Sequence, residues 1–519
     1  MIRHFALLII VTVPLIAGYT TPATSVRWTM DSLVVHSGGA VTGAFPSYAV
    51  HDTVFIAAGD RLDVPKGATV RIGYRQGITV RGAFMAIGAP DSLITFTRLA
   101  GAADSVWQEL RFEESATDTL CVLRHCIVEY GRTGLNFINA SPTVEHSTIR
   151  NTGLTSGSLS SSGNYGIQCF GSNAVIRYDS IYNNAQYGIN INVDSSPLIE
   201  GCVIFDNNRQ NTGFKNQISV GPQGVNSPVI RGNRIFHTTP NPKTGAVSIS
   251  AFFSQSGSFA LIEGNHMHSN AYGVALLSQG ASGVSAVIRN NRIIGNTYAD
   301  PMAGGSGINC YALSPSYNTT VIAGNLLEGN SWGVTVQGIA APNLGDLTNA
   351  DTSDDGRNVF IGNRNRDTVF ALYNNTAGVL KAQNNYWGVS APESVAAVIF
   401  DSSDIASLGA VRFTPFLTQS PVTGVRRPLP SVNAVRLHPN FPNPFNPATT
   451  IRFTLSAPAS VRVTVYDLLG REVAVLAEGR MEGGDHAVRW NASERSSGVY
   501  LCRLEADAHR FTTKLLLQK

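Results

Sequence analysis

Charge is scarce in this chain. Of its 519 residues, 14% are Asp, Glu, Lys or Arg, and the formal net charge is +3, whereas an average soluble domain carries about 25% charged residues. No basic cluster is interleaved with aromatic residues, so nucleic acid is not an expected partner. Beyond the N-terminal segment no apolar run approaches the roughly 20 residues that span a bilayer, so we expect no transmembrane segment in the mature protein.

The sustained apolar run at the N-terminus extends from Phe5 to Ala17, just after Arg3, and leads into small and polar residues. A short basic region, an apolar core and a small-residue stretch are typical of a secretory signal peptide. A membrane anchor is the alternative, but the run is short for a span and Pro14 interrupts it. We therefore predict a signal peptide over residues 1–24.

A motif of two apolar residues, one charged residue and a polar corner recurs through the middle of the chain. Its copies are VLRHCIV (122–128), TVEHSTI (143–149), VIRYDSI (175–181), LIEGCVI (198–204), VIRGNRI (229–235), LIEGNHM (261–267), VIRNNRI (287–293) and VIAGNLL (321–327). Successive copies begin 21 to 34 residues apart, which fits a short turn with loop insertions of variable length. The absence of helical periodicity predicts an all-β solenoid of parallel strands.

Two columns of polar residues support this register. The first, three places after the second apolar residue, contains Cys126, Ser147, Asp179, Cys202, Asn233, Asn265, Asn291 and Asn325. The second, five places further on, contains Asn184, Asn207, Asn270, Asn296 and Asn330. Stacked asparagines form hydrogen-bonded ladders and tolerate the left-handed backbone of a sharp corner. We predict that they are architectural and occupy the corners.

The residue directly after the second apolar position alternates in sign. The column is Arg124, Glu145, Arg177, Glu200, Arg231, Glu263 and Arg289. In a parallel stack these side chains lie about 4.8 Å apart, so we predict a charge ladder that fixes the register of the turns. A groove of catalytic glutamates is the alternative, and the basic neighbours of every acid disfavour it.

The six cysteines of the chain do not predict a disulfide framework. Cys126 and Cys202 share a column but lie three turns apart, about 14 Å at the strand spacing. A disulfide requires Cα atoms within about 7 Å. We therefore expect buried thiols that behave as small apolar residues.

Segments at both ends of the repeat carry a family resemblance. They are TVFIAAGDRLDVPKGATV (53–70), KAQNNYWG (381–388) and VRFTPFL (411–417). They resemble the opening turns, a late turn and the closing strand of exported right-handed parallel β-helix proteins. The resemblance covers residues 25–418 and implies that fold. It implies no activity, because the fold supports many functions.

A linker rich in Pro, Arg and Ser (419–435) precedes residues 436–519, where short, regularly spaced strands predict a small β-sandwich. This segment resembles the type A C-terminal sorting domain of type IX secretion cargo. The matching residues are Pro442, Asn443, Pro444, Asn446, Pro447, Tyr466, Asp467, Gly470, Arg471, Gly498, Tyr500 and Lys514. The resemblance implies contact with the type IX secretion machinery and delivery to the outer surface of a Gram-negative bacterium or beyond it. An ordinary carbohydrate-binding sandwich is the alternative.

Catalytic motifs are sparse. A polygalacturonase-type site needs Asn-Thr-Asp, Asp-Asp, Gly-His-Gly and Arg-Ile-Lys on successive turns, and this sequence has only Asp354-Asp355 of that set. Pectate-lyase chemistry needs acidic calcium ligands with an Arg or Lys base, and no lysine of the repeat region lies beside an acidic cluster in sequence. No catalytic residue is assigned.

The best metal candidate is the acidic segment 343–360. Asp351, Ser353 and Asp355, followed by Gly356, imitate the first half of a calcium loop, and the candidate ligands are Asp351, Asp354 and Asp355. The closing Glu of such a loop is absent, because position 362 is Gly. Calcium is therefore the one candidate cofactor, and a solvated acidic loop is the alternative.

Inserted loops and aromatic residues are the remaining places for function. The aromatic candidates for stacking on sugars are Tyr182, Tyr187, Tyr272, Tyr298, Tyr311, Tyr317 and Trp332. Tyr187, Tyr272 and Trp332 precede glycine at equivalent places, which favours a repeated structural role. We expect a non-catalytic binding or adhesion module with polysaccharide as its candidate partner. A polysaccharide lyase or glycoside hydrolase is the alternative.

Overall fold

The computed structural model describes residues 18–99, 106–154, 163–211, 213–253, 255–298, 305–366, 368–421, 435–437, 440, 443, 445–455, 458–467, 471–482, 484–507 and 509–518. Residues 1–17 of the predicted signal peptide and most of the predicted linker lie outside these residues, whereas residues 18–24 are described and Gly18–Thr20 forms a strand of the first unit. The chain divides into two compact units, Met1–Val425 and Arg426–Lys519.

The first unit is a β-helix whose strands form three long sheets, A, B and C, within the described residues. The strands of sheet A are Gly18–Thr20, Thr53–Ile56, Ile78–Val80, Leu110–Phe112, Leu135–Ile138, Ile167–Phe170, Ile189–Asn192, Ile218–Val220, Val247–Ala251, Val274–Ser278, Ser306–Ala312, Trp332–Gly338, Leu372–Thr376 and Ile399–Phe400. Those of sheet B are Arg27–Thr29, Arg61–Val64, Ala83–Ile87, Cys121–Arg124, Thr143–Glu145, Val175–Arg177, Leu198–Glu200, Val225–Asn226, Val229–Arg231, Gly257–Glu263, Gly283–Arg289, Tyr317–Asn318 and Val321–Ala323. Those of sheet C are Val41–Ala44, Ser47–Val50, Thr69–Ile72, Ile94–Arg98, Cys126–Glu129, Thr148–Arg150, Ser180–Tyr182, Val203–Phe205, Arg234–Phe236, His266–His268, Arg292–Ile294, Leu326–Glu328 and Val359–Ile361.

The core forms because each turn points its β-branched residues inward at the same register. Ile199 pairs with Ile230, which pairs with Ile262 and then Ile288 in parallel sheet B, and all four side chains are fully buried. Burial of each such side chain contributes about 1.5–3 kcal/mol. The predicted parallel β-helix is confirmed, and the strand pairs follow the register of the repeat.

Each turn passes from sheet B to sheet C through a corner residue with positive φ. The value is 63° at Gly201, 64° at Gly232 and 65° at Gly264. The ladder asparagine follows this residue, and neither Asn233 nor Asn265 is among the described residues with positive φ. The expectation that the ladder asparagines adopt the left-handed conformation is therefore wrong. The preceding residue, often glycine, takes that backbone at little steric cost.

A short helix, Met30–His36, lies at the N-terminal end of the solenoid. It begins with a capping box in which the Thr29 side chain accepts from the Ser32 backbone N–H and the Ser32 side chain accepts from the Thr29 backbone N–H. Met30 and Leu33 are buried in the same core as the first strands. The other short helices are Pro392–Ala396 and the 3₁₀ segments Asp118–Leu120 and Thr352–Asp354. Two-stranded pairs are Arg364–Asn365 with Thr368–Val369 and Leu380–Lys381 with Val411–Arg412.

The second unit consists of antiparallel strands with their own apolar core. One sheet contains Val435–Leu437, Ala448–Leu455 and Gly484–Asn491. The other contains Glu472–Met481, Ala459–Tyr466, Gly498–Ala506 and His509–Leu517. The strands ending at Tyr466 and starting at Glu472 pair in antiparallel fashion as a hairpin.

Candidate functional site

The predicted charge column lies on the outer face of sheet B, with each Arg or Glu paired in register with the next. Glu145 bridges two arginines, because Arg124 Nε donates to one carboxylate oxygen at 2.6 Å and Arg177 Nε to the other at 2.8 Å. Burial, which would raise the pKa of Glu145, is outweighed by these arginines, so its pKa lies below the usual range. Further pairs are Arg231–Glu200 at 2.7 Å and Arg289–Glu263 at 2.9 Å. The charges therefore satisfy one another along the wall.

The asparagine column forms a continuous hydrogen-bonded ladder between sheets B and C. Backbone N and side-chain Nδ2 of Asn233 both donate to Asn265 Oδ1 at 2.9 Å. The same pattern links Asn265 to Asn291 and Asn291 to Asn325, and it continues to Asn358 and Asn385 beyond the predicted set. The second column forms analogous links, as in Asn184 to Asn207, Asn270 to Asn296 and Asn296 to Asn330. These side chains are buried, so they face no ligand.

Asp179 occupies a ladder position that asparagine fills in later turns. Its Oδ1 accepts from the Ser147 backbone N–H at 2.7 Å, and its buried Oδ2 has no hydrogen-bond partner among the described residues. Burial raises the pKa of Asp179 well above its usual range, and the nearby Glu145 charge raises it further. Burial and the Glu145 charge therefore both favour the neutral form of Asp179.

The outer face of sheet A differs from the other two. We call one of its outward columns the polar face: Asn136, Gln168, Asn190, Ser219, Ser248, Ala275, Asn309 and Thr335. None of these eight aligned residues is charged, and Arg111 is the residue that precedes Asn136 in the same column. Within the described part of the chain, the partly exposed side chains of Gln168 and Asn190 make no hydrogen bond, so their donors and acceptors stay available to a ligand. Ser219 makes none either, but it is buried.

Aromatic residues line one side of the polar face. Three positions before the polar column, Tyr165 and Tyr187 lie with ring centroids 5.5 Å apart. Tyr272 lies further along the same row, where its hydroxyl donates to Asn216 Oδ1 at 2.6 Å, and Trp332 follows in that row. These rings are half-buried. The repeated aromatic position thus packs the wall and borders the polar face.

A small pocket of about 200 Å³ lies at the N-terminal end of the polar face. Its lining includes Glu109, Arg111, Arg132 and Asn136. Asn136 Nδ2 donates to Glu109 Oε1 at 3.0 Å, and Arg111 lies 3.5 Å from the same carboxylate. The pocket presents both charges and an amide.

Glu113, two residues beyond Arg111, is clamped by two arginines. Arg111 Nε donates to one carboxylate oxygen at 2.8 Å and Arg81 Nε to the other at 2.7 Å. Burial, which would raise the pKa of Glu113, is outweighed by Arg81 and Arg111, so this pKa lies below the usual range. An anion of this kind holds no proton at neutral pH for general acid catalysis.

The acidic segment forms a folded loop around Asp346. Asp346 accepts from Thr348 and pairs with Lys381, and these contacts lower its pKa. The sequence gives no hint of the Lys381 contact, because that residue lies on a later turn. Asp354 is buried and one carboxylate oxygen accepts from Asn343 and Asn349.

The other predicted calcium ligands, Asp351 and Asp355, have structural roles in the same loop. Asp351 caps the 3₁₀ segment Thr352–Asp354 by accepting from the Ser353 N–H at 2.9 Å, and Asp355 ends that segment. Among the described residues, no group of three or more His, Cys, Asp or Glu side chains is arranged to hold a metal ion. Calcium at this loop stays a prediction.

The cysteines Cys121, Cys126, Cys169, Cys202, Cys310 and Cys502 are free and buried. Burial raises the pKa of the Cys169 and Cys310 thiols to about 12. The prediction of buried thiols without a disulfide framework is confirmed.

In the second unit, Asn443 joins the start of the domain to its last strand. Its Nδ2 donates to the Lys514 carbonyl at 3.2 Å, and its Oδ1 accepts from the Leu516 N–H at 2.9 Å. The neighbouring Phe445 is buried against Trp490, and Tyr500 packs edge-on against the same ring. The motif therefore builds the core of the domain.

The remaining motif residues lie at turns and edges. Asp467 and Arg471 pair across the hairpin at 2.7 Å, and Arg503 lies over the Tyr466 ring. Asn446 and Pro447 are exposed, and Gly498 begins a strand opposite Leu517. Pro442, Pro444 and Gly470 lie outside the described residues.

Two family models match separate parts of this chain. Residues 110–293 match a right-handed beta helix region, and residues 440–518 match a secretion system C-terminal sorting domain. The chain is a β-helix protein with a secretion sorting domain. The sorting domain indicates export with cell-surface attachment or secretion, and it implies interaction with the type IX secretion machinery.

Several solved structures are similar to this chain at low identity. A variant of the periplasmic alginate epimerase AlgG is 12% identical over 61% of this chain and 82% of its own, with a TM-score of 0.37. The Dettilon tailspike protein is 14% identical over 88% and 73%, with a TM-score of 0.32. An alginate lyase from Paenibacillus sp. is 13% identical over 61% and 99%, with a TM-score of 0.27. At these scores the likeness carries no argument about function.

No curated protein matches the sequence of this β-helix protein. None of the helices that the structure describes has the length and hydropathy of a membrane span.

The polar face was missed in the sequence, although a signal for it exists. Each member stands between two inward apolar residues, as in Ile189-Asn190-Ile191 and Ile167-Gln168-Cys169. When these segments are aligned as a third column, the column contains no charged residue. The variable loops between sheets C and A hide this register, whereas the short corner between sheets B and C preserves the one that was found.

Proposed function

We propose that this exported β-helix protein is a non-catalytic polysaccharide-binding module and that the polar face of sheet A is its binding surface. The observation that carries the proposal is an uncharged column with the partly exposed amides of Gln168, Asn190 and Asn309 beside a row of aromatic rings. A polysaccharide offers the complementary chemistry, with hydroxyl groups at regular intervals and apolar C–H faces that pack on aromatic rings.

The length of the polar face supports a polymer rather than a small ligand. Asn136 and Thr335 are separated by seven strand spacings, or about 34 Å. Several sugar units of an extended chain can lie along such a distance. The available amides of Gln168 and Asn190 lie on adjacent turns, so one chain can contact both.

The test is a glycan array followed by titration of any polysaccharide retained on it. The double variant Gln168→Ala, Asn190→Ala is expected to weaken binding about tenfold or more, because two hydrogen bonds of about 0.5–1.5 kcal/mol each are lost. The matched control is Thr148→Ala, Ser180→Ala, which removes two outward polar side chains from adjacent turns of sheet C. Equal affinities of the two double variants would contradict the proposal.

Catalysis is the second candidate, and the carboxylate of Glu109 beside Arg111 is the feature that favours it. Reducing-end measurement and absorbance at 235 nm report hydrolysis and lyase cleavage of the same polysaccharides. Turnover in either assay, abolished by Glu109→Gln, would replace the binding module by a polysaccharide lyase or glycoside hydrolase.

A further inference from the structure

Sheet B has a gap in its outer surface at the start of its longer strands. Four outward positions align there in successive turns: Val225, Gly257, Gly283 and Tyr317. The two central residues have no side chain, so the wall lacks two neighbouring outward groups. A cavity of about 360 Å³ occupies this place, which lies in the lower part of the 300–1,000 Å³ range of small-ligand sites.

One aromatic ring fills part of this gap, and another borders it. The Tyr317 ring lies over Gly283, where an added Cβ would come within 1.9 Å of the ring carbon Cζ. Phe259 projects from the same face, and its ring is 3.4 Å from the place of a Cβ on Gly257. Val225, Phe259 and Tyr317 remain 49%, 42% and 46% exposed. Large apolar side chains exposed together mark a binding surface rather than a packing unit.

The chemistry of the lining selects the ligand. The lining, completed by Gln255, Ser256, Ala281, Ser282 and Pro315, contains no charged residue, although the charge column begins further along the same strands at Glu263 and Arg289. An anionic ligand would lose hydration here without a cation to pair with. A neutral sugar ring fits, because its C–H face packs on aromatic rings while its hydroxyls meet polar groups such as the Gln255 amide and the Tyr317 hydroxyl.

We propose that this cleft binds one uncharged sugar ring of a saccharide chain. It is a second site, on a different sheet from the polar face and with its own aromatic residues. Failure of one site therefore does not entail failure of the other.

The test is isothermal titration calorimetry on the full mature chain carrying Gln168→Ala and Asn190→Ala, so that the polar face is disabled. The probes are cellohexaose, mannohexaose and xylohexaose, with trigalacturonate as the acidic probe. We expect at least one neutral hexasaccharide to bind and trigalacturonate not to bind. Phe259→Ala and Tyr317→Ala are each expected to weaken binding at least tenfold. Gly283→Ala is expected to weaken it as well, since the methyl group displaces the Tyr317 ring.

The matched control is Phe253→Ala, which removes a 51% exposed phenylalanine that does not line the cleft. It is expected to leave binding unchanged, and thermal melts check that every variant is folded. The proposal is overturned if no neutral probe binds at millimolar concentration, if trigalacturonate binds as tightly, or if Phe253→Ala weakens binding as much as Phe259→Ala does.

Discussion

Sheets A and B are built from the same turns at the same spacing, yet their outer faces have opposite characters. On sheet B, arginine and glutamate alternate from Arg124 to Arg289 and pair with one another. On sheet A, the polar face has no charge over eight turns, and several of its side chains bond to nothing in the described part of the chain. The polar side chains of a stacked column can thus either pair with one another or remain available to a ligand.

The difference lies in which side chains face each other across one strand spacing. Opposite charges about 4.8 Å apart reach each other easily through long Arg and Glu side chains. Polar side chains can also bridge this spacing, as Thr335 does by donating to Asn309 Oδ1 at 2.7 Å, but among the described residues Gln168 and Asn190 on adjacent turns do not. Sheet B therefore stabilises the register of the solenoid, while sheet A stays open to recognition.

The largest effect is expected from reversal of the most buried charge on sheet B. Glu145→Lys places a cation between Arg124 and Arg177 at a side chain only 5% exposed. We expect a loss of about 3–5 kcal/mol in the free energy of unfolding, as for a broken buried ion pair. Urea unfolding measures it. The control is Glu114→Lys at an exposed site, and an equal loss in that variant would refute the ladder.

A second prediction concerns Asp179, the buried acid that has no arginine partner. Asp179→Asn is expected to stabilise the protein at pH 7 by about 1–3 kcal/mol, because an amide can donate to the Val144 carbonyl as Asn233 does to that of Ile199. The folded pKa of Asp179 is raised, so the native chain loses stability as pH rises above the unfolded value of about 3.9. The gain of the variant must therefore grow between pH 4 and pH 7. Melting curves at several pH values give the answer, and a gain that shrinks over this range would show that Asp179 is charged.

Glu200→Lys tests a more exposed rung of the same column. Glu200 is 25% exposed and pairs with the half-exposed Arg231, so solvent screens the interaction. We expect local destabilisation of about 1 kcal/mol or less, seen as faster hydrogen exchange in the adjacent turns. A variant that melts and exchanges like the parent would show that this rung does not fix register.

Substitution in the polar face is predicted to change the free energy of unfolding very little. Asn190→Ala removes a side chain that bonds to nothing within the described residues, so the free energy of unfolding should change by no more than about 0.5 kcal/mol. Thermal melting of this variant beside Glu200→Lys compares the two faces directly. A larger loss in Asn190→Ala would mean that sheet A also needs its column for stability.

The smallest effect is expected at the acidic loop, which belongs to neither face. If Asp351, Asp354 and Asp355 hold calcium weakly, millimolar Ca²⁺ should raise the melting midpoint through preferential binding to the folded state, and Asp355→Ala should remove that rise. Calorimetry with and without Ca²⁺ measures it. A midpoint unchanged in both proteins would leave the loop as a solvated turn.

The fold could be predicted because the same local sequence pattern recurs from turn to turn. In the turn that contains Arg231, two corner residues separate the strands of sheets B and C. This short corner recurs through the repeat, so Arg231, Asn233 and Ile235 keep fixed offsets, and inward and outward residues alternate along the strands. Arg234 shows the limit of this reading. Its guanidinium lies over the Phe236 ring and its Nε lies 3.4 Å from His268 on the next turn, and neither contact follows from its own offset.

The candidate sites escaped prediction for a related reason. The cleft depends on Val225, Gly257, Gly283 and Tyr317, which each lie four residues before the repeat motif of their own turn. Two of them are glycines, and their lack of a side chain matters only when the turns are stacked. Tyr317 was among the aromatic candidates, but its ring position over Gly283 depends on contacts between turns. The spacing of residues within one turn does not show which residues of successive turns become neighbours when loops of unequal length separate them.

The capped N-terminal end has a consequence for assembly. A solenoid that ends in bare strands and an open apolar core would accept a second copy end to end, and repetition of that contact would extend a filament. The helix Met30–His36 fills the end of the core with Met30 and Leu33 and begins with a satisfied capping box. The helix therefore blocks end-to-end association at this end and opposes polymerisation there.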